Sequence, residues 1–443
     1  MANTRELALQ TLIEILNEGA YSNRALNEQI EKNKLTDQEK NFMTEIVYGT
    51  LQHYQLLEFY AMPYFKGRIK GWIKTLVAMT LYQIIFLDRV PEHAAISEAV
   101  NVARKRGGEF NGKLVNAILR EIRRHSWRDI QEVSNEQERL AIQTSHPLWL
   151  IRLWWKQYGE QKTKAMAVAN NERVLVTLRV NTLKGTRAEL MKRLEAEGVQ
   201  CKVGNISEDA LIVLKGNAVK TKAFEEGWFY IQDEASMLVA LALDPKPNTK
   251  ILDTCSAPGG KTTHIAQRLN QTGRVYAHDI HQHKIKLIHE NVTRLGLKNV
   301  EVSLQDATSL VNCYNIGSFD AILVDAPCSG LGILRRHPEV KITKQPADID
   351  QIIEIQKGIL KAVAPLVKVG GKLVYSTCTV NRKENDKQIE QFINNHPEFS
   401  LDETLAQRMP ESLADTIKSG MVQIFPDEFK TDGFFIATLT KIR

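Results

Sequence analysis

From about residue 229 to the end, the sequence repeats one unit: a short apolar strand, a tight turn, then a helix. ILD (251–253), RVYAHD (274–279), VEVSLQD (300–306), FDAILVDAP (319–327) and GGKLVYSTC (370–378) are the candidate strands, and GFFIATLTKI (433–442) closes the series. Strands alternating with helices at this spacing predict a mostly parallel, doubly wound α/β sheet. Such sheets bind ligands beyond the C-terminal ends of their strands. Asp253, Asp279, Asp306, Asp325 and Cys378 each fall at or just past a strand end. One strand-end Asp is ordinary turn chemistry. Four of them beside a glycine turn form a constellation that turn chemistry explains poorly.

The glycine turn lies in KILDTCSAPGGKTT, residues 250–263. Strand, glycines, helix is a way to present free backbone N–H groups to a ligand, with no Cβ in its path. A P-loop needs glycine five residues before its Gly-Lys pair, and Cys255 stands there. A dinucleotide fingerprint, G-x-G-x-x-G, is also missing. What remains, beside an ordinary tight turn, is an adenosyl or nucleotide-like ligand bound without phosphates. Cys255, Ser256, Ala257, Pro258, Gly259, Gly260 and Lys261 then form its loop. Asp279, 18 residues after Lys261, is placed to accept from two ribose hydroxyls. Asp306 is placed for the adenine amino group. S-adenosyl-L-methionine fits this set better than NAD.

At 443 residues the chain is too long for one core, and three regions are expected. Residues 1–142 read as an all-α bundle, with apolar stripes such as Leu7, Leu12, Ile15 and Leu16 at helical spacing. Thr75–Leu87 is dense enough to be a buried central helix. Residues 143–228 read as a small α+β module, with strands in VLVTLRVNT and ALIVLKG around the helix TRAELMKRLEAEGV. Its tryptophan-rich start, SHPLWLIRLWWKQYG, is read as core in preference to a base-stacking surface. Residues 229–443 are the catalytic sheet. Between Lys66 and Arg124 twelve Lys or Arg face five Asp or Glu, a local +7 in a chain of net +6. That suits a polyanionic partner or, equally, a set of solvated helix faces. Five cysteines without a C-x-x-C pair suggest neither a zinc site nor a disulfide framework. No apolar run approaches the ~18 residues of a membrane span. MANTRELALQ places charges where a signal peptide has its apolar stretch. A cytoplasmic monomer with no membrane and no metal partner is expected.

Several stretches together carry a resemblance. CSAPGGKTTH, DAPCSGLG, the RRHPE stretch from Arg335, STCT and the closing FPDEFKTDGFF resemble the RNA 5-methylcytosine methyltransferases. GTLQHYQLLEFY, DRVPEHAAISEAVNVAR and FNGKLVNAILREI resemble the NusB-type RNA-binding helical domain. The combination resembles the bacterial enzymes that methylate a cytosine of 16S ribosomal RNA (the Fmu, Sun or RsmB type). It covers nearly the whole chain and departs only in Cys255-Ser256-Ala257, where many members have Cys-Ala-Ala. The resemblance implies S-adenosylmethionine as cofactor and 16S ribosomal RNA as partner. It implies Cys378 as nucleophile, Cys328 as the residue assisting release, and Asp325 in contact with both cytosine ring and cofactor.

The chemistry asks for such residues in any family. Carbon 5 of cytosine is a poor nucleophile; a thiolate adding to carbon 6, with a proton supplied at N3, makes the ring an enamine. A base must later remove the C5 proton so that the thiol can leave. Lys261 is read as favouring the thiolate electrostatically. Three other readings stay open: a cytosine-C5 methyltransferase acting on another RNA, a DNA-type enzyme with Cys328 as nucleophile, and a silent RNA-binding assembly factor.

Overall fold

The structure, a computed structural model, describes residues 3–125 and 127–443. Met1 and Ala2, where the N-terminal reading begins, and Ser126, inside the helical region, lie outside the described residues. Contacts divide the chain into two compact units. One holds Met1–Glu172 and Leu334–Lys344; the other holds Arg173–Ile333 and Gln345–Arg443.

The first unit is helical, as its periodicity predicts. Its helices are α1 (Thr4–Glu18), α2 (Ser22–Asn33), α3 (Asp37–Gln52), α4 (Tyr54–Ala61), α5 (Gly71–Phe86), α6 (Glu92–His125), α7 (Glu136–Gln143) and α8 (Leu148–Ala169). Thr36 starts α3 with a capping box to Glu39, which satisfies two of the N–H groups that a helix start leaves open. α5 is the buried centre, with Leu76, Val77, Ala78 and Leu81 all at most 1% exposed. The two helices expected over 92–104 and 112–124 are present within Glu92–His125, separated by a break at Gly108, whose φ of 80° and ψ of 177° are not helical and whose φ favours glycine. Trp154 is fully buried against His146, as expected of a core residue. Leu334–Lys344 returns to this unit from far along the chain. Its Glu339 accepts from the Ser22 backbone N–H (3.3 Å) and hydroxyl (2.9 Å) at the start of α2.

The second unit contains two sheets. β1 (Thr177–Val180), β2 (Gln200–Val203), β3 (Ala210–Lys215) and β4 (Phe229–Ile231) form a four-stranded antiparallel sheet in the order β2-β3-β1-β4. The helix Arg187–Ala196 packs Leu190 and Leu194 onto it. The larger sheet holds β5 (Lys250–Asp253), β6 (Arg274–Asp279), β7 (Val300–Leu304), β8 (Phe319–Asp325), β9 (Val367–Thr377), β10 (Phe399–Leu401), β11 (Ile417–Lys418), β12 (Met421–Ile424) and β13 (Phe434–Lys441). Its order is β11-β12-β13-β9-β8-β5-β6-β7, with β10 paired to β13. The five strands β5 to β9 are parallel, as expected. The remaining strands are antiparallel, more than the sequence announces, because β10 and β11 are two or three residues long and carry no periodicity. Neighbouring strand residues point to opposite layers. Ile251 and Val374 pack with helix residues Leu238 and Ile265, while Leu252 and Leu373 pack with Ile359 and Phe392. The sheet is therefore covered on both faces.

Winding runs outward from β5 through β6 to β7, and the other way from β8 to β9. The two directions part between β5 and β8, the position at which such sheets open a ligand crevice.

Candidate active site

β5 ends at Asp253 and β8 at Asp325, side by side across the parting point (Asp253 opposite Leu323). After β5 the chain turns through 254–259. Ser256 donates from its N–H and its hydroxyl to the His278 carbonyl of β6, both at 2.8 Å. The Ala257 N–H donates to Asp279 Oδ2 (3.3 Å). Gly259, with φ of 102°, caps the helix Gly260–Arg268. A Cβ on Gly260 would come within 3.1 Å of the Tyr230 ring, a tight contact that glycine avoids.

A cavity of about 160 Å³ opens over this turn. Cys255, Ser256, Ala257, Pro258, Gly260, Lys261 and Asp325 line it together with Asp253 and with Tyr230, Gln232 and Ser236. Seven of the expected residues thus share one cavity. Gly259, Asp279 and Asp306 stand outside its lining. Asp279 is nearby at the end of β6, 6% exposed, and its Oδ1 accepts from the His281 N–H (3.0 Å). Asp306 is exposed two residues past β7, and its Oδ1 accepts from the Thr308 N–H and hydroxyl.

Lys261 links the cavity to the cysteines. Its Nζ donates to Asp325 Oδ2 at 2.7 Å, while Ser376 of β9 donates to Asp325 Oδ1 at 2.8 Å. The ammonium also lies 5.1 Å from the centre of the Phe434 ring. Burial alone would lower the pKa of Lys261, but the Asp325 carboxylate outweighs it, with the charges of Cys378 and Asp253 adding, and the net shift is upward. Asp253 is pushed up to about 7, first by burial and then by the Asp325 charge, against a hydrogen bond from Thr262 Oγ1 (2.6 Å).

β8 and β9 pair in parallel with Asp325 opposite Ser376. Cys328 and Cys378 follow three and two residues later, and their sulfurs are 3.1 Å apart. The Cys328 thiol is pushed up, first by its hydrogen bond with Cys378 and then by burial, with the charges of Cys378 and Glu384 adding. Cys255 is pushed up to about 12, chiefly by burial, which leaves it a small core residue.

Two contributors escape sequence reading. Arg179 of β1 is fully buried; its guanidinium donates to Gln232 Oε1, to the Gly260 carbonyl and, at 2.9 Å, to Thr263 Oγ1. It therefore holds the first turn of the cavity helix from below. An arginine amid the apolar TLRV strand was the available signal. Glu384, fully buried six residues after Cys378, had no such signal in NRKEND.

Among the described residues no group of His, Cys, Asp or Glu is arranged to hold a metal, and no helix is long and apolar enough to cross a membrane.

Comparison with known proteins fits this geometry. The model of the family described as 16S rRNA methyltransferase RsmB/F matches residues 240–440. The NusB family matches 2–124, and the RsmF/B-like ferredoxin-like domain matches 146–220. The probable ribosomal RNA small subunit methyltransferase B of Bacillus subtilis is 43% identical over 99% of both chains. That of Synechocystis is 34% identical over 100% of both. The crystal structure of PH0851 superposes with a TM-score of 0.84 at 27% identity, covering 100% of this chain and 99% of its own. NSun6 from Pyrococcus horikoshii, solved with SFG, gives 0.59 at 25% identity, covering 66% of this chain and 97% of its own. With a NusB-like helical region, a ferredoxin-like module and a mixed-sheet methyltransferase domain in that order, the chain belongs to the RsmB/F family of 16S ribosomal RNA methyltransferases.

Proposed function

We propose that the chain transfers a methyl group from S-adenosyl-L-methionine to carbon 5 of a cytosine in 16S ribosomal RNA, in the cytoplasm, through a covalent bond between Cys378 and carbon 6. The observation that carries this reading is the pair of thiols 3.1 Å apart beside the Lys261–Asp325 ion pair. Residues 1–142 and 143–228 are assigned to gripping RNA, and 229–443 to the chemistry.

The cavity residues suit an adenosyl cofactor. The cradle over Gly260 admits close approach, and Asp253 Oδ1 is buried without a partner. Asp279, although it accepts from Ala257 and His281, keeps lone pairs for ribose hydroxyls. NSun6 from Pyrococcus horikoshii was solved with SFG, an analogue of S-adenosylmethionine. When bound, the cofactor supplies an electrophilic methyl group.

The residues of the chain do the rest. The target cytosine is taken out of its stack to reach the site. Cys378, as thiolate, adds to carbon 6. Asp325 meets the ring near N3, and Lys261 beside it supplies positive charge where the adduct gathers negative charge. Carbon 5, now enamine-like, takes the methyl group. Removal of the C5 proton then lets the Cys378–C6 bond break, and Cys328, in contact with the departing sulfur, assists that release.

A denaturing gel of two variants with RNA and S-adenosylmethionine tests the assignment. Cys378→Ala is expected to give neither methylation nor adduct. Cys328→Ala is expected to attack and then stall, leaving a protein–RNA adduct that nuclease removes. An adduct from Cys378→Ala and none from Cys328→Ala would make Cys328 the nucleophile, as in a DNA-type enzyme. Wild-type protein that neither methylates nor forms adducts would favour an assembly factor.

A further inference from the structure

Glu384 is the most heavily engaged carboxylate near the two thiols, and the chemistry above leaves it without a task. It follows β9 in the loop that carries Cys378, and it is fully buried. Oε1 accepts from the Ser329 N–H (2.8 Å) and more distantly from Gln356 Nε2 (3.4 Å). Oε2 accepts from the Ser329 hydroxyl (2.6 Å), from Asn381 Nδ2 (3.0 Å) and weakly from the Thr379 hydroxyl (3.5 Å). Ser329 and Thr379 also join their hydroxyls at 2.8 Å. Ser329 is the residue after Cys328, and Thr379 is the residue after Cys378. One carboxylate therefore binds the residue next to each sulfur, and those two residues bind each other.

The neighbouring positions reinforce the loop from the other side. Asn385 accepts from the Thr377 hydroxyl (2.6 Å) and donates to the Thr379 carbonyl (2.9 Å), so it brackets Cys378. The Tyr375 hydroxyl donates to the Glu384 carbonyl (2.7 Å). Among the described residues no Lys, Arg or His forms an ion pair with Glu384. A buried carboxylate neutralised by hydrogen bonds alone is costly to a fold that needs only packing. Its donors come from both cysteine loops, which identifies what it gives in return. Beyond the strand ends the backbone joins the two loops at two points, the Ala326 N–H to the Ser376 carbonyl (2.9 Å) and the Gly332 N–H to the Cys378 carbonyl (3.0 Å). The Glu384 carboxylate adds the side-chain anchor, holding Ser329 and Thr379, the residues next to the two cysteines.

We propose that Glu384 is a positioning residue that locks the Cys328 and Cys378 loops together and so sets the separation of the two sulfurs. The proposal rests on the assignment of Cys378 and Cys328 to attack and release. Displacements of an ångström between reacting groups cost about 10²-fold in rate. Clamp and chemistry meet in one prediction: loosening the anchor impairs turnover without touching either binding site.

The test uses the full chain and Glu384→Gln, which keeps the shape but opposes an NH2 group to the donors now facing Oε2. Methyl transfer to ribosomal RNA is expected to fall about 10²-fold in kcat, with KM for both substrates within about twofold. A second readout needs no RNA. Diamide accepts the two protons and two electrons released as Cys328 and Cys378 join, and peptide mass spectrometry follows that bond. Bond formation requires the sulfurs to close to about 2.05 Å, and Glu384→Gln is expected to slow it about tenfold by misplacing them. Ser329→Ala, which removes one side of the clamp, should act in the same direction, and the double variant should be less than additive. If Glu384→Gln does not fold, Ser329→Ala alone decides. Wild-type kcat and wild-type cross-linking, or a lower kcat with unchanged cross-linking, would overturn the clamp. If the wild-type chain methylates RNA but yields no 5-methylcytosine, the C5 assignment fails instead, and cross-linking still judges the clamp.

Discussion

Lys261 in the sheet unit and Lys341 in the helical unit are both interior lysines, and their surroundings shift their pKa values in opposite directions. Lys341 is 1% exposed, and its Nζ donates to Asn171 Oδ1 (2.6 Å) and to the Gln52 carbonyl (3.3 Å), both neutral acceptors. Burial brings its pKa down to about 7. Lys261 keeps 15% of its side chain exposed and meets a carboxylate at 2.7 Å. There burial is outweighed, and the ammonium is held charged. An amide in one place and a carboxylate in the other make the difference. A buried lysine stays a cation where a carboxylate answers it, and burial favours its neutral form where only amide and carbonyl oxygens do.

Exchanging the partners is the strongest way to break that contrast. Asp325→Asn gives Lys261 the kind of partner Lys341 has. Its ammonium should then titrate at lower pH, and kcat should fall about 10²–10³-fold. The residual rate should drop further as pH rises, because the neutral amine no longer meets the charge on the adduct. Single-turnover methyl transfer across neutral pH reads both effects. A wild-type rate and pH profile would sever the pair from the chemistry.

A second experiment sharpens the comparison within the sheet unit, by removing a carboxylate assigned to neutral ribose hydroxyls. Asp279→Ala should weaken S-adenosylmethionine binding by about 2–3 kcal/mol, as for bonds lost to a charged acceptor. Calorimetry showing unchanged affinity in a folded variant would take Asp279 out of the site.

The reverse exchange, Asn171→Asp, should leave Lys341 charged. In the wild type the folded pKa is about 7 against the ordinary 10.5 of a lysine. Between those values the unfolded chain holds a proton that the folded chain lacks, so stability rises with pH across the window. The cost is fully present below about pH 7. With Asp at 171 that rise should vanish, and stability at neutral pH should increase by about 1–3 kcal/mol. Denaturation of the helical unit at pH 7 and 9.5 measures it. A flat wild-type profile would mean that Lys341 is already charged, and an equal rise in the variant would assign the slope to another group.

These contrasts also show what sequence can carry. The glycine turn, the strand-end carboxylates and the two cysteines were legible because each is local: a turn, a strand end, a residue type. Cys328 and Cys378 could be brought together from the sequence because parallel neighbours place their strand ends side by side. Arg179, Glu384 and Lys341 were not legible in the same way. Arg179 supports the turn across 81 residues of sequence, from Nη to the Gly260 carbonyl, and Lys341 reaches Asn171 across 170. Periodicity carries no information about such separations. The break at Gly108 was legible for the same local reason, since it falls in the stretch between the two helices expected over 92–104 and 112–124. The antiparallel edge went partly unread because β10 and β11 are too short to alternate.

The smallest expected effect concerns cations that are not buried at all. Arg120, Arg123 and Arg124 lie on the exposed face of α6, in the basic stretch of the helical unit. Arg123 meets Glu92 at 2.9 Å and Arg124 meets Glu121 at 2.6 Å, with both arginines more than two-thirds exposed. Surface pairs of this kind contribute about 0–1 kcal/mol, so a phosphate can take either arginine from its glutamate at little cost. Replacing all three by Gln should therefore flatten the dependence of log affinity for RNA on log salt by up to about 2–3 units. Cofactor affinity should not change, because none of the three lies in the sheet unit. If the slope instead matches the wild type, the carboxylates already answer these charges, and the face of α6 is solvated rather than bound. That outcome would leave exposed cations with no counterpart to either buried lysine, whose state a single partner decides.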